Sequence, residues 1–252
     1  MGRLITRRKL MTGVALTAPF IISGCDRLTD APAFRNLVLR QGERLSSRAQ
    51  RFLGRDALAP EFTEAELSPF FRTNGTRRPD TEEYDQHESE GFANWRVRFG
   101  GLVNNPIEVS MADLRALPSR TQITRHDCVE GWSAIGKWKG AQLGQLLDAA
   151  QLQPDARFIV FRCADSLRRG PYYESIDLVD AFHPQTLLAY ELNDEALPIG
   201  NGAPVRLRVE RQLGYKQAKY ITGIDAVASF DDIEGGGGGY WPDSGYDWYA
   251  GI

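Results

Sequence analysis

A thiol, an imidazole, two carboxylates and an indole crowd into Arg125-His126-Asp127-Cys128-Val129-Glu130-Gly131-Trp132-Ser133, in the middle of the chain. A thiolate is both a nucleophile and a metal ligand, and neighbouring cations favour it. Arg125 and His126 act in that direction; Asp127 and Glu130 oppose it. A cysteine hydrolase needs an imidazole base, and besides His126 the chain offers only His87 and His183, neither in surroundings that suggest a catalytic pair. A zinc site built from Cys128, Cys163 and histidines lacks C-x-x-C or H-x-x-x-H spacing. For a lone cysteine, burial as an inert thiol is the commoner outcome, and Trp132 and Trp138 could bury this one. The competing reading is ligation of a metal that accepts a soft sulfur donor.

An organic metal cofactor with a phosphate would also require turns rich in backbone N–H groups, with Arg and Lys close by. Three segments have that composition: Arg72-Thr73-Asn74-Gly75, Asn201-Gly202-Ala203-Pro204-Val205-Arg206, and Leu213-Gly214-Tyr215-Lys216-Gln217-Ala218-Lys219. On residue types alone, the inert thiol and the cofactor site both stay open.

The elements that must position these residues follow from periodicity. Trp95-Arg96-Val97-Arg98-Phe99 alternates as a strand does, and Ile107-Glu108-Val109 makes a second short strand. Ser110, with an acid three residues on, caps a short helix ended by Pro118. Thr121–Thr124 leads as a strand toward Cys128, which places the thiol where a strand gives way to a loop. After Trp138-Lys139-Gly140 an amphipathic helix carries Leu143, Leu146, Leu147 and Ala150. Arg157–Cys163 is a strand, Asp165–Pro171 a loop, and Tyr172–Ile176 an edge strand. Asp177 caps a helical turn, and Leu187–Tyr190 is an apolar, buried run. Val205–Val209 alternates strictly, which by itself turns Arg206 outward to pair with Glu210. Tyr220–Ile224 is a last strand. Gly235–Gly239 reads as a flexible linker to the aromatic anchors Tyr240, Trp241, Tyr246, Trp248 and Tyr249. Short strands, short helices and no βαβ alternation define an α+β fold with mixed or mainly antiparallel sheets.

At 252 residues the chain has ordinary globular composition, 42% apolar and 25% charged. A formal charge of −3 gives no electrostatic case for nucleic acid. Residues 1–25 read as an export signal. Arg7-Arg8 opens a twin-arginine pattern before a mildly apolar stretch too short to span a bilayer. Ile22-Ser23-Gly24-Cys25 resembles a lipoprotein cleavage motif in which Cys25 carries the lipid; an ordinary signal-peptidase site is the alternative. The expected location is therefore the periplasm, with or without a membrane anchor. Residues 26–65 form a helical arm, amphipathic from Ala33 to about Gly54, with Arg40, Arg44, Arg48 and Arg51 on its polar face. Residues 66–252 form the main domain.

Five segments in order give a resemblance. Phe70-Phe71-Arg72-Thr73-Asn74-Gly75, His126–Ser133, His183-Pro184-Gln185-Thr186-Leu187, Asn201–Leu207 and Gly214–Lys219 resemble the sulfite oxidase family of molybdenum–pterin enzymes. The likeness is to its exported bacterial branch, which includes the catalytic subunit of protein-methionine-sulfoxide reductase. The resemblance implies a sulfite-oxidase-like molybdopterin-binding fold and a molybdenum–molybdopterin cofactor. It makes Cys128 the metal ligand; Asp127, Glu130 and Trp132, as its neighbours, are the candidates beside the reacting centre, and Tyr172 or Tyr173 could reach the pocket. It places Arg72, Thr73, Asn74, Cys163, Asn201, Arg206, Lys216, Gln217, Ala218 and Lys219 against the cofactor. Sulfite oxidases set arginines soon after this cysteine; here Val129, Glu130, Gly131 and Trp132 follow. A carboxylate and an indole are poor company for a dianion, so a neutral or bulky substrate such as a sulfoxide is expected. Sulfite oxidation is the alternative, with Arg125, Arg168 and Arg169 as the residues that could reach back over the metal. A non-catalytic binding module on the same fold is the alternative of another class. No C-x-x-C-H haem motif is present, so electrons would come from a separate protein, for which the resemblance implies a membrane cytochrome.

Overall fold

A computed structural model describes residues 40–252. The twin-arginine segment, Cys25 and the arm before Arg40 lie outside the described residues. The chain divides into two units, residues 1–52 and 53–252. Helix α1, Arg40–Gly54, ends the first and enters the second, with Leu45 and Phe52 exposed.

The larger unit is built on two sheets. The first runs β2 (Ile107–Ser110), β1 (Arg96–Gly101), β10 (Ile221–Val227), β5 (Phe158–Leu167), β6 (Gly170–Asp177). Only the β1–β10 pair is parallel. The second runs β3 (Ser119–Cys128), β4 (Trp132–Gln142), β7 (Leu187–Leu192), β8 (Glu195–Ala196), and β9 (Arg206–Arg208) also pairs with β7. Its pairs are all antiparallel. Short helices fill in between: α2 (Glu82–Ser89), α3 (Met111–Ala116), α4 (Leu143–Ala150) and α5 (Leu178–Ala181). The mixed, mainly antiparallel α+β architecture is thus as the sequence implies.

Local chemistry accounts for the elements. Ser110 and Asp113 form a reciprocal capping box at the start of α3. Asp177 caps α5 through the Asp180 N–H. α4 buries Leu143, Leu146, Leu147 and Ala150, one helical face. That face joins Phe99, Phe161, Ile224, Val205 and Leu207 in one core. Buried polar tips find partners there: Tyr84 Oη donates to the Ala203 carbonyl at 2.7 Å and Trp95 Nε1 to the Ile221 carbonyl at 2.9 Å.

Three expectations need correction. β4 is an eleven-residue strand that the pattern did not disclose. Ser166 and Leu167 belong to β5, and the residues read as a loop narrow to a hairpin turn at Arg168-Arg169. Gly235–Gly239 is a packed turn: Asp243 accepts from the Gly235 and Gly237 N–H groups, and the segment pairs with β6 through Glu174 and Gly239.

Candidate active site

β3 and β4 pair from Ser119↔Ala141 to Cys128↔Trp132, so Val129-Glu130-Gly131 is the tip of a long hairpin. Gly131 takes φ +84°, the left-handed position that lets so short a tip close. Strand alternation turns Thr124, His126 and Cys128 inward, at 0%, 0% and 8% exposure. Arg125 and Asp127 turn outward and pair with each other at 2.9 Å. Cys128 therefore ends its strand with its thiol inside, as expected.

His126 fixes this end of the strand. Its ring stacks on Trp132 and takes the edge of Phe71. Arg208 Nη1 lies 3.0 Å from His126 Nδ1. A guanidinium only donates, so Nδ1 accepts and the imidazole is neutral. Burial, then Arg208 and Arg206, hold its pKa well below the usual histidine range. Trp132 Nε1 donates to the Glu130 carboxylate at 3.0 Å, so indole and acid brace each other at the tip. Burial pushes the Cys128 thiol up, and the Glu130 carboxylate adds to that against a bond from the Glu130 backbone N–H. Ligation of a metal cation would reverse this preference by favouring the thiolate.

The thiol opens onto a cavity of about 100 Å³. Of its lining, Asn74, Asp165, Tyr215, Gln217 and Lys219 are buried and give it a mainly polar floor. Thr76, Leu167, Tyr172 and Trp241 are partly exposed, and Val129, Glu130 and Tyr246 are exposed and form its rim. Among these residues Lys219 is the basic one. Its ammonium, 5% exposed, donates to the carbonyls of Asn74 (2.8 Å), Thr76 and Gly200 (3.1 Å). Burial, then Arg206, lower its pKa to about 7. Burial raises that of the neighbouring Asp165.

Glycines let the three cation-rich segments close on one another. A Cβ on Gly200 would lie 2.8 Å from Thr73 Oγ1, and one on Gly202 (φ +111°) 2.9 Å from Lys219 Cβ. One on Gly214 would lie 2.4 Å from His126 Nε2. The loop at Thr73-Asn74, the turn at Gly200–Gly202 and the turn at Gly214–Lys216 thus pack around the Cys128 strand end.

Arg206 is fully buried, contrary to the outward placement that alternation suggests. Glu210 is taken by Arg208, through Nε at 2.9 Å and through Nη2, and does not pair with Arg206. Arg206 donates to the carbonyls of Asn201 (2.9 Å) and Gln217 (3.2 Å), while its Nε has no partner. Among the described residues no carboxylate forms a salt bridge with it. Burial, then Arg208, lower its pKa to about 9.

The other expected residues divide. Arg72 is exposed at the mouth, its guanidinium 5.8 Å from the Trp132 ring centroid. Asn74 and Asn201 are buried, and Asn74 Oδ1 and Asn201 Nδ2 lack partners. Ala218 is core, with its carbonyl bonded to the Leu207 N–H. Lys216 lies away from the cavity, paired at 2.6 Å with Glu174, both side chains fully buried. Cys163 lines a different depression, with Tyr84, His87 and Trp95. Tyr172 reaches the Cys128 cavity; Tyr173 turns away to Asp243. Sequence reasoning passed over Asp165, Leu167 and Tyr215 as site residues, and of these only Tyr215 had a signal, its place inside the Gly214–Lys219 segment.

A phosphate-bearing group fits this donor set. Arg206 and Lys219 are buried cations flanking Gly202. Asn201 Nδ2 and Arg206 Nε, both from the Asn201–Arg206 segment, are buried donors without a partner, and Asn74 Oδ1 is a buried acceptor without one. Arg206 is a buried positive charge with no carboxylate paired to it, which calls for an anion, whereas Lys219 has Asp165 beside it.

A thiol at a hairpin tip, a polar cavity holding one lysine and a buried arginine nearby together suit a protein that holds an anionic group. The family described as oxidoreductase molybdopterin binding domain matches residues 84–232. The chain belongs to this family, and so to the sulfite-oxidase-type oxidoreductases that use molybdenum–molybdopterin. It is 35% identical, over 97% of its length and 87% of the other's, to a protein of Azospira oryzae provisionally named protein-methionine-sulfoxide reductase subunit YedZ1. It is 30% identical to the protein-methionine-sulfoxide reductase catalytic subunit MsrP of Xanthomonas axonopodis pv. citri, over 88% of this chain and 70% of that one. The sulfane dehydrogenase SoxCD of Paracoccus pantotrophus aligns over 55% of this chain and 40% of its own, at 22% identity and a TM-score of 0.49.

Proposed function

We propose that Cys128 is the protein's ligand to molybdenum, and that the enzyme exchanges an oxygen atom with neutral sulfoxide-type substrates. The observation that carries this is the meeting of Cys128 with Asn74, Gln217 and Lys219 at one cavity. When bound, the molybdenum–pterin group supplies two-electron chemistry with oxygen-atom transfer. The chain's part is to hold and tune it. The β3–β4 hairpin presents the Cys128 sulfur, and neutral His126 locks that strand end. Arg206 and Lys219 offset the phosphate charge, and Asn74, Asn201 and Gln217 offer hydrogen bonds.

The rim supports a neutral substrate. Glu130 lines the cavity and repels a dianion such as sulfite. Two of the three arginines that could offset it are engaged elsewhere, Arg125 with Asp127 and Arg169 with its guanidinium 5.3 Å from the Tyr240 ring centroid. That leaves Arg168 and the exposed Arg72 as the nearby positive charges. The names of the curated relatives support reduction of a sulfoxide as the working direction. Electrons would arrive from a separate protein, for which a membrane cytochrome is the proposed partner. The twin-arginine segment supports a periplasmic location after export, with Cys25 as the proposed lipid attachment point.

Cys128→Ala tests the assignment. Purified wild type should carry about one molybdenum per chain and a thiolate-to-metal absorption band. The variant should lose that band and sulfoxide reduction while keeping its far-ultraviolet circular dichroism. Full activity in metal-free wild type, or an unchanged band in the variant, would sink the assignment.

A further inference from the structure

The C-terminal segment after β10 is held over the cavity from both sides. Tyr173 Oη donates to Asp243, Trp248 Nε1 donates to Ser175 Oγ at 2.8 Å, and Tyr215 Oη donates to the Asp247 carbonyl at 2.7 Å. The Leu213 N–H donates to the Ala250 carbonyl at 2.9 Å, and Tyr240 stacks on Tyr172. These ties deliver Trp241 and Tyr246, 5.2 Å apart between ring centroids, to the cavity's outer wall. Tyr215 meets Tyr246 edge-on from below. Val129, 46% exposed, lines the same cavity, and Tyr246 is itself 40% exposed. Large apolar side chains left open around a polar floor are the ordinary construction of a small-molecule site: the floor takes the polar atom and the walls take the body. The family match ends at residue 232, so this wall belongs to a part of the chain that the family description does not cover.

We propose that Trp241 and Tyr246 are specificity-determining residues, which clasp the apolar body of the substrate while its oxygen faces the Cys128 end of the cavity. The inference rests on the sulfoxide reading above. It favours a sulfoxide carrying an aryl or extended alkyl group over a compact one, because only the larger body reaches the rim. Aromatic faces also favour the sulfur atom itself through sulfur–ring contact.

The test compares the cofactor-loaded wild type with Trp241→Ala, Tyr246→Ala and the conservative Trp241→Phe. The assays are reduction of methyl p-tolyl sulfoxide and of dimethyl sulfoxide, and, for the non-reducible methyl p-tolyl sulfone, both inhibition of that reduction and direct binding by calorimetry. Removing either ring should lower the aryl-to-dimethyl ratio of kcat/KM about tenfold or more, chiefly through KM. It should weaken sulfone inhibition by a similar factor, with Trp241→Phe restoring most of both. If the alanine variants lower both substrates equally, with an unchanged sulfone inhibition constant, the wall is not a specificity element although sulfoxide reduction stands. If wild type reduces neither sulfoxide yet the sulfone binds and loses affinity in the variants, the wall stands and the sulfoxide reading falls. Molybdenum content and thermal midpoint equal to wild type exclude misfolding, and a shifted ratio in the phenylalanine variant alone would overturn the proposal.

Discussion

Arg206→Met separates holding an anion from holding the fold. Burial and Arg208 lower the Arg206 guanidinium from its ordinary value to about 9. At about 1.4 kcal/mol per pKa unit, that is about 5 kcal/mol of unfavourable burial in the cofactor-free protein. Against it stand the bonds to the Asn201 and Gln217 carbonyls, about 1.5–3 kcal/mol each for a charged donor. The face of Trp138, 5.1 Å from the guanidinium carbon, adds up to about 2 kcal/mol. The opposing contributions nearly cancel, and methionine matches the stem in volume and keeps its packing. The cofactor-free variant should therefore lie within about 3 kcal/mol of wild type in urea denaturation. The cofactor-loaded form has no such compensation, because a phosphate facing a methyl group loses a buried charge-assisted pair worth about 2–5 kcal/mol. Cofactor affinity should then fall at least tenfold, read as molybdenum per chain and as released pterin fluorescence. Full loading with unchanged affinity would refute the anion role. A loss above about 5 kcal/mol in the cofactor-free protein would make Arg206 a structural residue.

Two further outcomes follow from the same geometry. The folded-state pKa of Lys219, about 7, lies below its ordinary 10.5, so between those values the unfolded chain binds more protons than the folded one. Stability of the cofactor-free protein should then rise from pH 7 toward pH 10, by at most about 1.4 kcal/mol per pH unit, and be insensitive to this group below pH 7. A bound phosphate lifts the folded value and flattens the slope; chemical denaturation showing no slope in the cofactor-free protein, or an equal one in Lys219→Met, would count against it. Gly214→Ala would set a Cβ 2.4 Å from His126 Nε2, in a ring already fixed by Trp132 and Phe71. Overpacking there should cost about 1–3 kcal/mol and displace the Cys128 strand end, lowering both thermal midpoint and molybdenum content; a variant with wild-type values for both would show that the turn has room to give.

The sequence disclosed elements whose buried positions carry large apolar side chains, and hid those whose buried positions do not. β4 turns Ala134, Gly136, Trp138 and Gly140 inward, and three of these four register as nothing in an apolar pattern. Their smallness is what the packing demands: a Cβ on Gly140 would meet the Leu188 carbonyl oxygen at 2.3 Å, and one on Gly136 would meet the Phe71 ring. The five-glycine run misleads for the same reason. Gly238 lies against Trp248 and Phe230, and Gly239 against the Glu174 carboxylate, so the run marks close approach of backbone to side chains rather than freedom. At the site, the cysteine and its hairpin were legible because strand alternation and the tip glycine are local. Asp165 and Trp241 were not, because only tertiary folding brings them to the cavity.

Arg206 is where local pattern and global fold disagree, and the disagreement is informative. Val205–Val209 alternates as a strand with one wet face does, yet its five residues are all at most 1% exposed. Val205, Leu207 and Val209 join the main core. Arg206 and Arg208 point to the other side, both over the Trp138 ring. A strand buried on both faces can carry charge only if every charge is consumed. Arg208 is, by Glu210 and by His126. Arg206 is left with carbonyl acceptors and an unmatched Nε, beside a lysine whose neighbouring carboxylate is Asp165. A fold that met its other requirements this closely would gain no stability from that guanidinium unless something else completed it. The family binds a phosphate-bearing cofactor, and we propose the place of Arg206, beside Gly202 and Lys219, as that of the phosphate.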